Sequence, residues 1–208
     1  MSQKSTKSSV IYRDAYLLAA SKPHGIATYR ESRGGGVPGF KEQLEEKLNQ
    51  RLFPVHRIDA DTSGIVLFAL DSRAAAALIR LFKEHKVKKT YLAWCVGETL
   101  AKGSIKQTLK KNKSDLMESA RTDYERIKNW HGFSLVRAHP FTGRFHQIRR
   151  HFHGIGHALV GDPLYGSKEL WGDFFKGADS RLMLQAESLE FFHPFTRNKL
   201  SLKSKDEF

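Results

Sequence analysis

The chain has 208 residues, 40% hydrophobic and 27% charged, with 35 Lys and Arg against 22 Asp and Glu for a net charge of +13. That length holds one sizeable core or two small ones. No apolar run approaches the roughly 20 residues of a membrane-spanning helix, and the polar first residues lack the apolar core of a secretory signal. The charge excess points to a polyanionic partner, most simply nucleic acid, against the plainer reading of a basic but inert surface. The one cysteine, Cys95, excludes an internal disulfide and any Cys-x-x-Cys zinc site. The expected compartment is the cytoplasm.

In chain order, residues 1–9 read as a disordered basic tail. Residues 10–20 form two short strands around a turn at Arg13-Asp14. Lys22-Pro23-His24-Gly25 is a turn by its Pro and Gly, and residues 26–29 form another short strand. Arg33-Gly34-Gly35-Gly36 is a mobile loop without the strand or the Gly-Lys-Ser/Thr of a phosphate cradle. Phe40, Leu44, Leu48 and Leu52 repeat at four and predict a helix over 40–52. The apolar run 64–70 is a central strand. Asp71 or Ser72 caps a helix over 73–84, with Ala75, Leu78, Ile79 and Phe82 inward.

Residues 88–97 form a strand with Cys95 buried, and residues 103–107 a short one. The Lys-rich segment 109–119 reads as an RNA-facing loop. Residues 120–129 and 133–139 pair as a hairpin across Trp130-His131-Gly132. Residues 145–152 form a helix with a basic face, and residues 182–192 and 200–203 a last strand pair. The fold expected is α+β: a single domain over residues 10–208, with a mixed, mostly antiparallel sheet flanked by helices.

Unusual polar residues concentrate in three places. In Pro54-Val55-His56-Arg57-Ile58-Asp59-Ala60-Asp61-Thr62-Ser63-Gly64, extension of residues 57–61 would put Arg57, Asp59 and Asp61 on one face. A guanidinium beside a carboxylate favours the ionised acid, as a nucleophile or base requires. Asp59 reads as a functional carboxylate. Asp61 is a second acid or magnesium ligand or, better, a turn-stabilising residue. Tyr91, in Lys88-Lys89-Thr90-Tyr91, reads equally as packing and as a surface for a base. In Thr142-Gly143-Arg144-Phe145-His146-Gln147-Ile148-Arg149-Arg150-His151, the arginines form a solvated helix face or, with Arg144 and Arg149 in apolar surroundings, pair with anions. His151, His153 and His157 lack neighbouring ligands at metal spacing, so no metal is expected.

Together, in this order, these stretches resemble the RluA-type RNA pseudouridine synthases. His56 to Gly64 is similar to that family's Arg-Asp-Thr-Ser-Gly signature, Lys89-Thr90-Tyr91 to its tyrosine strand and Thr142 to Arg149 to its basic helix. The Lys22-Pro23-His24-Gly25 turn and Gly161-Asp162-Pro163-Leu164-Tyr165-Gly166 also fit. Ile58 and Phe145 are mild departures from the commoner Leu and Thr, and no S4 RNA-binding module is expected.

The resemblance implies that Asp59 is the essential carboxylate and that Arg57 fills the space left by a flipped uridine. It implies that Tyr91 contacts the uracil and that Arg149 pairs with Asp59, with Arg144, His146 and Arg150 binding RNA. A structured RNA, rRNA or tRNA, would be the substrate and the protein a monomer. The reaction is an isomerisation, so no cofactor is expected. Two other classes remain to be separated: a metal-dependent enzyme using Asp59 and Asp61 as a magnesium clamp, and a basic RNA binder without chemistry.

Overall fold

The computed structural model describes residues 9–30, 37–110, 116–175 and 180–204. The expected tail, save for Ser9, and the glycine loop at 33–36 lie outside them, as does the centre of the Lys-rich segment, 111–115. In chain order the elements are β1 (Val10–Arg13), β2 (Leu17–Lys22), α1 (Phe40–Leu48), β3 (Phe53–Pro54), β4 (Ser63–Ala69) and α2 (Ser72–Lys83). Then come β5 (Lys88–Val96), β6 (Lys102–Lys110), β7 (Met117–Trp130), β8 (Phe133–Pro140), α3 (Gln147–Gly154), α4 (Lys168–Phe175), β9 (Leu184–Phe192) and β10 (Lys199–Lys203). Contacts group the described residues into two compact units, one of residues up to Val87 together with 188–204, the other within Lys88–Glu187. The architecture is the expected α+β one, with antiparallel strand pairing in each unit and helices beside it.

In the first unit β2 pairs with β1 on one side and β4 on the other, in register from Leu17↔Ala69 to Lys22↔Gly64. Every residue of β2 is buried, as is all of β4 after Ser63. An apolar run with no polar alternation is a strand covered on both faces. The Asp71 carboxylate caps α2 by accepting from the Ala74 N–H at 2.7 Å. Ala74, Ala75 and Leu78 are its buried residues, while Ile79 and Phe82 are half-buried.

Two expectations fail here for identifiable reasons. Helix α1 ends at Leu48 rather than residue 52, because Asn49 turns left-handed (φ 45°). Leu52 is still buried, its N–H bound to the Glu45 carboxylate at 2.7 Å. Residues 26–29 are not a strand: their carbonyls accept from Lys22 Nζ at Ile26, Phe40 N at Ala27 and Lys41 N at Thr28, which leaves no ladder.

In the second unit the strand order is β5-β8-β7-β6, all antiparallel. β7 and β8 join through His131 and Gly132, both at positive φ (46° and 79°), the geometry of a tight two-residue hairpin. β6 and β7 pair continuously from Lys102↔Glu125 to Lys110↔Met117. The loop expected over 109–119 is therefore strand at both ends. Ile105 and Leu109 bury one face of β6 while Lys102, Lys106 and Lys110 stay exposed, and the lysines hid the alternation. Ile148 and Phe152 of α3 pack on Ala93, Cys95, Leu159 and Leu184, with Cys95 fully buried. The sequence reading did not include α4, whose Trp171 is buried beside Val160 and Met183.

Candidate active site

In the first unit, the stretch opened by Pro54 is not a strand with alternating faces. Leu52, Val55 and Ile58 are buried, every third residue rather than every second. The Thr62 N–H then donates to the Asp59 carbonyl at 3.1 Å, so residues 59–62 form a turn before β4 begins. Arg57 is exposed, with its guanidinium 5.5 Å from the Tyr29 ring centre, a cation–π arrangement. Asp59 and Asp61 are half-buried on the turn.

What holds this turn is a buried polar frame. The Thr28 hydroxyl, buried, donates to the Ile58 carbonyl (2.9 Å) and accepts from the Ile58 N–H (3.2 Å). Lys22, fully buried, donates to the carbonyls of Pro23 (2.8 Å), Ile26 (2.7 Å) and Ala60 (2.9 Å). One ammonium thus uses all three protons on backbone oxygens, and the residues on either side of Asp59 are fixed by one side chain each. Burial pushes Lys22 down to about 8, opposed by the charges of Asp61 and Asp59. On the far side of the stretch, His56 stacks on Phe82 (4.5 Å), and its Nε2 accepts from the Leu67 N–H at 2.9 Å.

In the second unit Tyr91 lies opposite Ala138 on β5, half-buried, with its body on the cluster that holds Ile148 and Phe152. Helix α3 does not present a solvated basic face. Arg149 and His151 are 1% and 0% exposed. The carboxylate bound to Arg149 in its own unit is Asp162, which accepts from Nε at 2.8 Å and Nη2 at 2.7 Å. Asp162 also accepts from the N–H groups of Leu164 (3.0 Å) and Tyr165 (3.2 Å). The sequence placed Asp162 in a fitting stretch but gave it no role. Burial alone would raise its pKa; the Arg149 guanidinium and the two N–H groups outweigh burial and hold it below its ordinary value.

The Arg149 guanidinium lies 5.3 Å from the Tyr165 ring centre, and the Tyr165 hydroxyl meets His146 Nδ1 at 3.1 Å. His151 bonds through Nδ1 to the Thr122 hydroxyl (2.9 Å), and burial drives its pKa down to about 4, which keeps it neutral. Arg150 is half-buried and donates to the Lys110 carbonyl at 3.1 Å. Arg144 pairs with Glu118 at 2.9 Å.

Of the residues named from sequence, Arg57 and Asp59 thus share the first unit, and Tyr91, Arg144, His146, Arg149 and Arg150 the second. Reading the sequence missed Lys22, Thr28 and Asp162 as supports. The Lys-Pro-x-Gly turn was visible, but nothing local says that its lysine points inward at three carbonyls.

Residues 16–154 match the family model described as RNA pseudouridylate synthase. The chain belongs to that family and is an RNA pseudouridine synthase, an isomerase acting on RNA. Among curated relatives, the tRNA pseudouridine synthase C of Haemophilus ducreyi is 34% identical over 220 residues, covering 94% of this chain and 89% of the relative. That of Vibrio parahaemolyticus is 32% identical with the same coverage. Among solved structures, human RNA Pseudouridylate Synthase Domain Containing 1 superposes with a TM-score of 0.79 at 26% identity, over 99% of this chain and 86% of that one. Human RNA Pseudouridylate Synthase Domain Containing 4, at 21% identity and a TM-score of 0.74, shares the fold.

Proposed function

We propose that this chain isomerises uridines of tRNA, with Asp59 as the essential carboxylate and residues 10–208 acting as one catalytic domain. The tRNA substrate rests on the two relatives named for it, both matched over nearly their whole length. The catalytic role of Asp59 rests on one observation. It is a half-buried acid at the corner of a turn whose backbone is fixed on one side by Thr28 and on the other by Lys22. A turn that needed only a capping aspartate would not need this frame.

The chemistry fits such a carboxylate. A uridine swings out of its stack, at a cost of a few kcal/mol that favours loops. The N1–C1′ bond breaks, the uracil turns, and C5 joins C1′. The C5 proton leaves and N1 gains one, so atoms and electrons balance. Asp59 serves as nucleophile or base. Arg57, exposed and with its guanidinium over the Tyr29 ring, enters the space that the uridine leaves. Tyr91 meets the uracil, and Arg149 acts with it in catalysis. Arg144, His146 and Arg150 bind the RNA. We place the enzyme in the cytoplasm as a monomer, checked by the mass of the purified protein in light scattering.

The test is Asp59→Asn and Asp59→Ala against total tRNA and rRNA. Pinned on both sides, the turn should keep its shape, so both variants should fold and make no pseudouridine. A variant that still makes it removes the catalytic assignment. Mass-spectrometric mapping in cells lacking the protein should show the loss in tRNA. A loss confined to rRNA overturns the substrate while leaving the reaction intact.

A further inference from the structure

Residues 141–146, between β8 and α3, expose two aromatic rings on a clamped backbone. We propose that Phe141 and Phe145 are stacking platforms for unpaired bases of the RNA substrate. Phe141 is 50% exposed and Phe145 46%. Single exposed apolar residues are ordinary; these two sit four residues apart, and each already has a flat group on one face. The Arg121 guanidinium lies 4.4 Å from the Phe141 ring centre, and it is itself held by Asp123 through Nε (3.0 Å) and Nη2 (2.7 Å). The His146 imidazole stacks on Phe145 at 3.7 Å and 21°, fixed in turn by the Tyr165 hydroxyl.

The backbone between the two rings is held at several points. Gln147, buried, ties this loop to β7 through its amide. Its Oε1 accepts from the Thr142 hydroxyl (2.6 Å) and the Arg144 N–H (3.0 Å), and its Nε2 donates to the Arg121 carbonyl and the Thr122 hydroxyl (both 3.0 Å). Lys89 donates to the Thr142 carbonyl at 2.7 Å, and the Phe141 N–H to the Arg121 carbonyl at 3.0 Å. His146 itself is left-handed (φ 50°), a conformation that a side-chain-bearing residue keeps only where its surroundings impose it. Such a loop loses little freedom on binding. Exposed rings backed by cationic or aromatic planes, on a chain of net charge +13, suit a single-stranded polyanion with π-faces.

The proposal rests on the RNA-modifying reading but is tested by binding, without turnover. Fluorescence anisotropy would compare a short single-stranded oligoribonucleotide with an abasic oligomer of equal length and charge, using Phe141→Leu, Phe145→Leu and Phe145→Trp. Each Leu variant should weaken binding to the base-bearing strand by at least about fivefold. Each should leave the abasic strand and the salt dependence unchanged, since stacking releases no phosphate counterions. Phe145→Trp should bind as tightly as the parent. Equal weakening on both strands, or no weakening, overturns the proposal. Failure to make pseudouridine with stacking intact would instead count against the catalytic reading. Unchanged melting temperatures would show that the variants fold.

Discussion

The Arg149–Asp162 pair admits a quantitative test of what Arg149 does. Removing the carboxylate in Asp162→Ala leaves a guanidinium that is 1% exposed without its bidentate partner, and strands the Leu164 and Tyr165 N–H groups. Breaking a buried pair from one side costs about 3–5 kcal/mol. At about 2–4 °C per kcal/mol for a chain of this size, the melting temperature should fall by about 6–20 °C. Asp162→Asn keeps the shape but turns an amide donor toward other donors, and should lose about 2 kcal/mol.

The double variant Arg149→Met/Asp162→Leu fills the same space with apolar groups and should recover most of the loss. It should still fail to make pseudouridine, because it lacks the Arg149 guanidinium proposed to act in the reaction. Urea unfolding followed by tryptophan fluorescence reads stability, and pseudouridine formation reads function. The pH dependence has a definite sign. A carboxylate held below its ordinary value of 3.8 contributes stability above that value and loses it as pH falls through the folded pKa. Asp162→Asn should lack that acid-side loss. An Asp162→Ala protein within about 1 kcal/mol of the parent would refute the reasoning.

Lys22→Met deprives the Pro23 and Ile26 carbonyls of their ammonium donor and loosens Ala60 beside Asp59, so pseudouridine formation should slow by about 10²-fold. In the parent, raising the pH from 8 to 10.5 neutralises Lys22 only when folded, so this group's contribution to stability should rise over that window; urea unfolding at several pH values should show that rise absent in the variant. Arg57→Ala should slow base capture in stopped-flow fluorescence, with less than about a threefold loss of overall RNA affinity, since one cation among 35 contributes little non-specific binding. Gly161→Ala should destabilise by at least about 2 kcal/mol in urea, because Gly161 sits at φ 73° and an added Cβ would lie 1.9 Å from the Arg181 carbonyl oxygen.

Elements whose cause is local were readable in the chain. The covered strand β4 follows from an unbroken apolar run, α2 from Asp71 and an inward stripe, and the β7–β8 hairpin from His131-Gly132 between alternating residues. Elements whose cause is distant were not. β6 looked short because lysines occupy its outer face, and its length comes from continuous pairing with β7. Residues 26–29 carry strand-like side chains, but their carbonyls are taken by Lys22, Phe40 and Lys41.

The site divides along the same line. The residues proposed for the chemistry, Asp59 and Tyr91 among them, stand out by their company in sequence. The residues that fix the backbone beside Asp59 and the Arg149 guanidinium are charges turned inward, and a sequence gives an inward lysine the same letter as a solvated one. Lys22 lies 37 positions before Asp59, and Asp162 lies 13 after Arg149. A buried charge is tolerated only when several partners converge on it. Those partners are backbone groups in both cases, three carbonyls for Lys22 and two N–H groups beside the guanidinium for Asp162. Backbone acceptors and donors have no side-chain identity, so this frame becomes visible only once the chain has folded. Substitutions at Lys22 and Asp162 should therefore damage catalysis by moving other residues, and the activity lost at either should not be restored by changing any single neighbour.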